Sequence, residues 1–183
     1  MKSYFSDIIT RWRHTLGYGV HSPLAFRIIK ECVHPDSRYA YYADSAIDYM
    51  FAGDRRLRSR LRMLVRLIAN LKPRHIHMPD CDRRIADIIA AAFPAIKLTR
   101  HEKGAKNADF IVIFGDMDSA SLWNSSDEGN ELTLLEFHQG CVKPEDLSGA
   151  GSMKCGPTLI IACCDFTLRL RRHGMQRVEY KLL

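Results

Sequence analysis

Apolar positions at helical spacing dominate the first part of the chain. Ser22 followed by Pro23 is a typical helix start, because the serine hydroxyl accepts from the free N–H groups of the first turn and proline needs no donor there. The spacing predicts a helix over residues 4–16 and a second, shorter helix over residues 23–32. These two helices would form an N-terminal helical hairpin that packs on a core.

A strongly amphipathic pattern follows in residues 54–74, which are rich in arginine. Its apolar stripe comprises Leu57, Leu61, Leu64, Ile68 and Leu71. Its basic face comprises Arg55, Arg58, Arg62 and Arg66. A helix of this kind packs its stripe on a core and leaves the arginines to solvent, or uses them to bind nucleic acid or an anionic membrane surface. The solvated face is favoured, because no aromatic residues for base stacking lie between the arginines.

Short apolar runs alternate with helical patterns after the break at Lys72-Pro73. Strands are predicted at HIHM (75–78), AIKLTR (95–100), FIVIFG (110–115) and TLIIACC (158–164). Helices are predicted at residues 82–93 and in the segment ELTLLEFHQGCVKP, which starts at Glu131. A polar loop is predicted over residues 116–130, after the third strand. The tail alternates on both sides of His173-Gly174, which predicts a closing antiparallel hairpin. This alternation favours a layered α/β fold.

Length and composition indicate the number of domains and the cellular compartment. The chain has 183 residues, of which 46% are hydrophobic, enough for one domain with a sizeable core. We expect a single domain, 1–183, with an N-terminal helical cap in 1–52 and an α/β core in 53–183. No apolar run is long enough for a membrane span and no signal peptide is evident, which indicates the cytoplasm. The six cysteines form no CxxC pair and are expected to be reduced, packed thiols. The net charge of +6 is weak evidence for an anionic partner.

Two motifs carry a resemblance to a known family. They are Gly19-Val20-His21-Ser22-Pro23 near the N-terminus and Arg171-Arg172-His173-Gly174 near the end. With the order of elements, they resemble class I S-adenosylmethionine-dependent methyltransferases, in a bacterial branch with a GxHSPF-like motif. The resemblance implies a Rossmann-like, three-layer α/β sandwich with a reduced, mostly parallel sheet, a C-terminal antiparallel hairpin and an N-terminal helical cap. It also implies methyl transfer from S-adenosylmethionine to a small molecule.

The resemblance places a cofactor site at the carboxyl edge of the sheet. The candidate cofactor-binding residues there are Asp80, Asp82, Glu102, Gly115 and Asp116. Glu102 would substitute for the acidic residue that accepts from the ribose hydroxyls at the end of the second strand. Because such enzymes work largely by positioning donor and acceptor, the sequence nominates no catalytic residue.

The chain departs from the family pattern where the cofactor should bind. Laid without gaps, Met78 occupies the place of the acidic residue after the first strand, Asp80 that of the first glycine and Arg84 that of the later glycine. About ten residues separate the second and third predicted strands, too few for a crossover helix and another strand. We therefore expect a degenerate methyltransferase-like protein with impaired cofactor binding. The alternative is a non-catalytic binding protein, which contacts nucleic acid or an anionic surface through residues 54–74.

Metal chemistry is not favoured by the sequence. His75 and His77 share one face of a predicted strand, with Cys81 and His101 further along. Closed zinc sites usually combine two tightly spaced ligand pairs, and this arrangement offers one loose pair. No metal site is predicted.

Overall fold

Seven strands form one sheet in the computed structural model, which describes residues 2–17, 19–34, 42–79, 81–100, 102–115, 117–126, 130–140 and 156–182. The strands are β1 (His75–His77), β2 (Lys97–Thr99), β3 (Phe110–Phe114), β4 (Leu132–Phe137), β5 (Leu159–Ala162), β6 (Phe166–Arg171) and β7 (Val178–Lys181). Their order across the sheet is β2-β1-β3-β4-β6-β5-β7. The protein thus has the α/β fold that the sequence predicts.

Helices precede the sheet and lie between its strands. They are α1 (Lys2–Thr15), α2 (Pro23–Arg27), α3 (Tyr42–Met50), α4 (Arg55–Leu71), α5 (Arg83–Ala92) and α6 (Ser119–Ser125). A π-helical turn, Ile28–Val33, continues α2, and a 3-10 helix, Glu102–Asn107, joins β2 to β3. The predicted helices over residues 4–16, 23–32, 54–74 and 82–93 are confirmed to within a few residues.

Side-chain caps fix the helix starts that the sequence indicates. The Ser22 hydroxyl accepts from the Ala25 N–H at 3.3 Å, and the Asp54 carboxylate accepts from the Leu57 N–H at 2.8 Å. Helix α4 ends at Lys72, whose backbone is left-handed with φ 51°. Each cap satisfies backbone groups that a helix end leaves without an internal partner.

The sheet is mostly parallel, and β6 is its one antiparallel strand among the described residues. Strands β2, β1, β3 and β4 pair in parallel, with Ile76 opposite both Leu98 and Phe110. Strand β6 runs antiparallel to both β4 and β5, and β7 pairs in parallel with β5. The antiparallel hairpin therefore consists of β5 and β6.

The predicted hairpin around His173-Gly174 is wrong in its pairing. Strands lie on both sides of this turn, and Gly174 has the positive φ of 73° that turns often require. However, β6 lies between β4 and β5 and uses both of its edges. Strand β7 therefore adds to the outer edge of β5.

Two further predictions in the middle of the chain are wrong. The segment from Glu131 forms strand β4 instead of a helix, because it is buried between β3 and β6, and this packing outweighs the helix preference of its leucines. The predicted loop over residues 116–130 contains α6. The carboxylate of Asp118 accepts from the N–H groups of Ala120 and Ser121 and starts this helix.

Both faces of the sheet are covered by apolar side chains. The larger cluster joins one face to helices α2 to α5 and the π-helical turn, and the smaller cluster, around the fully buried Trp123 of α6, covers the other face. The N-terminal helices and the π-helical turn contribute Ala25, Ile28, Ile29 and Ile47 to the larger cluster, and all four are fully buried. They are thus an integral part of the main core.

The described cysteines form no disulfide with one another. Cys32, Cys81 and Cys163 are buried. Burial raises the pKa of the Cys32 thiol to about 12 and that of the Cys81 thiol to about 11. These thiols are therefore packing groups at neutral pH.

Candidate functional site

The candidate site is the carboxyl edge of β1, β2 and β3, where the family resemblance places the candidate cofactor residues. At the start of α5, the Asp82 carboxylate accepts from the backbone N–H of Arg84 at 2.8 Å. The same carboxylate accepts from the Arg84 side chain, at 3.0 Å from Nε and 2.7 Å from Nη2. The hydrogen bond from the Arg84 side chain is the main reason that the pKa of Asp82 lies below its ordinary value. Asp82 is thus engaged within the chain.

The guanidinium of Arg84 also packs on an aromatic ring, 4.9 Å from the centroid of Phe51. Arg84 stands where the family resemblance places a glycine, which would leave room for a cofactor. Here the position instead carries a long cation that folds back over the helix start. The first turn of α5 therefore has an internal anion, Asp82, at the place where a helix N-terminus attracts a ligand.

A second link ties the ends of β1 and β2 together. Nη2 of Arg100 donates to the backbone carbonyl of Cys81 at 2.6 Å. Met78, in the place of the family's acidic residue, has a fully buried side chain, and its N–H donates to the Thr99 carbonyl at 2.9 Å. This part of the edge is held by apolar packing and internal hydrogen bonds.

The other predicted site residues contribute less to the described geometry. Gly115 follows β3 with a φ of 117°, and a side chain there would begin 3.2 Å from Nε2 of Gln139, so a glycine is needed at this turn. Asp80 and Asp116 lie outside the described residues. Glu102 begins the 3-10 helix after β2, and its side chain is likewise outside the described part. Of the five predicted residues, the structure thus defines the contacts of Asp82 and the backbone role of Gly115.

The arginines of α4 close the same edge of the sheet at β4. Arg60 donates to Asp165 at 2.6 Å and to the carbonyl of His138. Arg56 donates to Asp165 at 2.7 Å and to the carbonyls of Gln139 and Gly140, at 3.0 and 3.2 Å. Burial alone would raise the pKa of Asp165, but the hydrogen bonds from Arg60 and Arg56 outweigh it and hold the pKa below its ordinary value. These arginines join α4 to the loop between β5 and β6.

The arginines of the predicted basic face mostly point at helix α3. Arg58 and Arg62 contact the Asp48 carboxylate, and Arg66 lies 4.0 Å from that of Asp44. Arg55 is exposed. The face is therefore largely paired with acids of the neighbouring helix, and it offers a nucleic-acid backbone fewer free cations than the sequence pattern suggests.

A buried polar group lies on the sheet face that α6 covers. Nη1 of Arg169 in β6 donates to Glu136 in β4 at 2.7 Å, and the two side chains are 5% and 18% exposed. Nε2 of His138 lies 2.9 Å from the Thr167 hydroxyl. Burial lowers the pKa of His138.

The sequence pattern predicts a helix through Glu136 and His138, and for this reason it gave no sign of the polar group. A signal was available in the tail, where Thr167, Arg169 and Arg171 alternate with apolar residues. Buried arginines on one strand face require hydrogen-bond acceptors or an acidic partner nearby, as Glu136 is for Arg169.

The two strand histidines form a hydrogen-bonded set with β2. His75 Nε2 and His77 Nδ1 lie 2.9 and 3.2 Å from the Thr99 hydroxyl, and His75 Nδ1 lies 3.0 Å from the carbonyl of Asn107. Burial, and secondly the neighbouring His75, lower the pKa of His77. No group of three or more histidine, cysteine, aspartate or glutamate side chains suited to a metal ion occurs in the described part of the chain.

Two clefts open at the opposite, amino edge of the sheet. One, of about 290 Å³, has a polar lining that includes Lys72, Arg74, Asp109, Glu131, Thr133 and Arg172. The other, of about 480 Å³, is lined mainly by Ile68, Ala69, Phe93, Ala95 and Ile96. Neither cleft includes a predicted cofactor residue.

Comparison with models of known protein families, with curated proteins and with solved structures finds no match for this chain. Among the described helices, none is long and apolar enough to cross a membrane.

Proposed function

We propose that this chain is a degenerate S-adenosylmethionine-dependent methyltransferase-like protein, impaired in cofactor binding, that serves as a non-catalytic binding protein. The observation that carries the proposal is the Asp82–Arg84 pair. A carboxylate predicted to serve the cofactor instead accepts two hydrogen bonds from an arginine and one from the first turn of its own helix. A ligand would have to displace contacts that already satisfy these groups.

The strand order supports the relationship to doubly wound folds. In such folds the order reverses beside the first strand, and ligands bind outside the carboxyl ends at that point. Here the reversal lies between β1 and β3, with β2 on the other side of β1. Gly115 and the start of α5 flank this position, as the resemblance implies.

The shortened crossover supports the loss of cofactor binding. Between β2 and β3 the chain forms a 3-10 helix of six residues, and β2 is the edge strand of the sheet. A complete crossover helix and a further strand would flank β2 in the full fold that the resemblance implies. The proposed binding site therefore lacks the helix and strand that would enclose one side of the cofactor.

Calorimetric titration with S-adenosylmethionine and S-adenosylhomocysteine tests the proposal. We expect no saturable binding up to about 1 mM, which corresponds to a binding free energy weaker than about −4 kcal/mol. The control variant is Asp82→Asn, because asparagine caps a helix as well as aspartate but removes the negative charge. Micromolar binding by the wild-type protein, weakened in Asp82→Asn, would overturn the proposal in favour of an active methyltransferase with an unusual pocket and a small-molecule acceptor.

A further inference from the structure

An exposed apolar stripe runs along the outer side of α1. Ile9, Trp12 and Leu16 are 54%, 56% and 38% exposed. At 100° per residue these three positions fall within an arc of about 60° on the helix. These three exposed apolar side chains therefore lie on one side of the helix, and exposed apolar surfaces on soluble domains mark interaction sites.

The stripe continues onto α2 through Gly17. A side chain at Gly17 would begin 2.8 Å from the ring of Phe26 and 3.4 Å from Cδ of Lys30, so the ring and the lysine stem both lie against this glycine. Phe26 is 45% exposed. Leu16 precedes Gly17 directly, and the apolar stripe thus extends from Ile9 to Phe26.

The attachment of α1 to the sheet fixes the outward direction of the stripe. The His14 ring meets the Tyr180 ring of β7 edge-on, with centroids 5.5 Å apart, and the Tyr180 hydroxyl accepts from the Ser22 N–H at 3.3 Å. His14 lies nearly opposite the stripe around the helix. The side of α1 that bears His14 therefore faces the protein, and the side that bears Trp12 faces away.

Two exposed cations lie beside the stripe. Arg13 is exposed and neighbours Trp12 on the outer side of α1, and the exposed Lys30 lies beside Phe26 at Gly17. Apolar side chains that include tryptophan, flanked by cations, match the boundary between acyl chains and anionic headgroups. Two copies of this surface would bring like charges together, which disfavours self-association through it.

We propose that the outer stripe, Ile9, Trp12, Leu16 and Phe26, together with Arg13 and Lys30, docks the protein onto an anionic lipid bilayer. In this arrangement α1 lies parallel to the membrane plane. Its apolar side chains enter the acyl boundary, while Arg13 and Lys30 contact lipid phosphates or carboxylates. This site is independent of the carboxyl edge of the sheet and of α4.

Co-sedimentation with vesicles tests the proposal. The probes are phosphatidylcholine vesicles with and without about 30% phosphatidylglycerol, at low and at physiological salt. We expect binding to the anionic vesicles that weakens as salt rises, and little binding to the neutral ones. The tryptophan emission should also shift to the blue on binding, because Trp12 is exposed whereas Trp123 is fully buried.

Variants distinguish lipid binding through the stripe from non-specific binding by other exposed apolar side chains. Trp12→Ala should weaken binding about tenfold, and Arg13→Ala or Lys30→Ala about fivefold each. The matched control is Tyr49→Ala, which removes another exposed aromatic residue, 87% exposed, from α3 and should leave binding unchanged. Absence of binding to anionic vesicles at low salt, or equal weakening by Tyr49→Ala, would overturn the proposal. A dimer in solution that Trp12→Ala dissociates would assign the stripe to a second copy and would also overturn it.

Discussion

His77 shows how a single buried residue makes the stability of the sheet depend on pH. Its side chain is fully buried on β1, and its Nε2 has no hydrogen-bond partner among the described residues. A proton on this nitrogen would place a charge next to His75 without a counter-ion. Burial and this neighbour therefore lower the pKa of His77 in the folded protein below the ordinary value near 6.5.

We therefore expect the free energy of unfolding to decrease as the pH falls from about 7 to about 5. The unfolded chain takes up a proton near its ordinary pKa of about 6.5, whereas folded His77 takes it up at lower pH, so protonation favours unfolding in this window. Urea unfolding of His77→Gln across this range should show a shallower slope. Part of the slope will remain, because burial also lowers the pKa of His34 and His138.

The matched control for this measurement is His21→Gln, which changes an exposed histidine. Its slope should equal that of the wild-type protein. If His77→Gln also retained the full wild-type slope, the assignment of the pH dependence to His77 would be wrong.

At the scale of elements, Asp165 connects three parts of the fold. It lies in the loop between β5 and β6, and its carboxylate accepts from Arg56 and Arg60 of α4. Its backbone carbonyl accepts from the His138 N–H at 3.0 Å. Arg60 also lies over the Phe137 ring of β4, with Cζ 5.4 Å from the centroid. The carboxylate therefore holds α4 against the ends of β4 and β6.

Asp165→Asn should reduce the free energy of unfolding at pH 7 by about 2 kcal/mol, because hydrogen bonds to charged groups contribute about 1.5–3 kcal/mol. The folded pKa of Asp165 is lowered, so its contribution is present above the ordinary pKa of about 4 and is lost as the pH falls through the folded value. Denaturant unfolding at pH 7 and pH 3 should show the difference between variant and wild type shrinking at low pH.

The control is Asp87→Asn, which alters an exposed pair with Arg83 at 3.9 Å on α5. Exposed pairs of this kind contribute little, so the change should be below about 0.5 kcal/mol. Equal effects of the two substitutions would show that Asp165 stabilises the fold no more than an exposed ion pair does.

The elements also show what the sequence can and cannot predict. Helices α2, α4 and α5 were predictable because apolar residues at helical spacing, together with the Ser22 cap of α2, are local signals. Strand β4 was not, because its identity depends on burial between β3 and β6, which are distant in sequence. The pairing of β7 was hidden for the same reason, since alternation predicts a strand but does not name its neighbour.

At the candidate site, the residues were easier to predict than their partners. The family resemblance placed Asp82 and Gly115 at the carboxyl edge, and in the structure they come after β1 and β3. The interaction of Asp82 with Arg84 depends on the rotamer of a long side chain that also packs on Phe51. Such a choice is made by packing and is not visible as a spacing in the sequence.

At the scale of the whole molecule, the N-terminal helices and the sheet share one core. Ile29, in the π-helical turn after α2, is fully buried in the same apolar cluster as β3 to β6. Trp123 lies on the opposite face of the sheet. If these parts unfold together, a destabilising substitution at Ile29 must also lower the unfolding midpoint that Trp123 reports.

Ile29→Ala should lower the free energy of unfolding by about 3 kcal/mol, within the range for buried isoleucine truncations. In a Trp12→Phe background, fluorescence reports Trp123 and far-ultraviolet circular dichroism reports the helices. Both probes should shift to the same lower midpoint. A Trp123 transition that stays at the wild-type midpoint would show that the N-terminal helices unfold as a separate unit.

The two outer strands of the sheet have a consequence for assembly. Strand β2 has three residues, and β7 carries Glu179 and Lys181, whose charged groups lie 3.8 Å apart. A long, apolar edge strand is a template to which another chain adds by backbone pairing, whereas short or charged edges discourage such addition. We therefore expect copies of this protein to resist fibre growth at both edges of the sheet. Any association between copies would use side-chain contacts instead of backbone pairing.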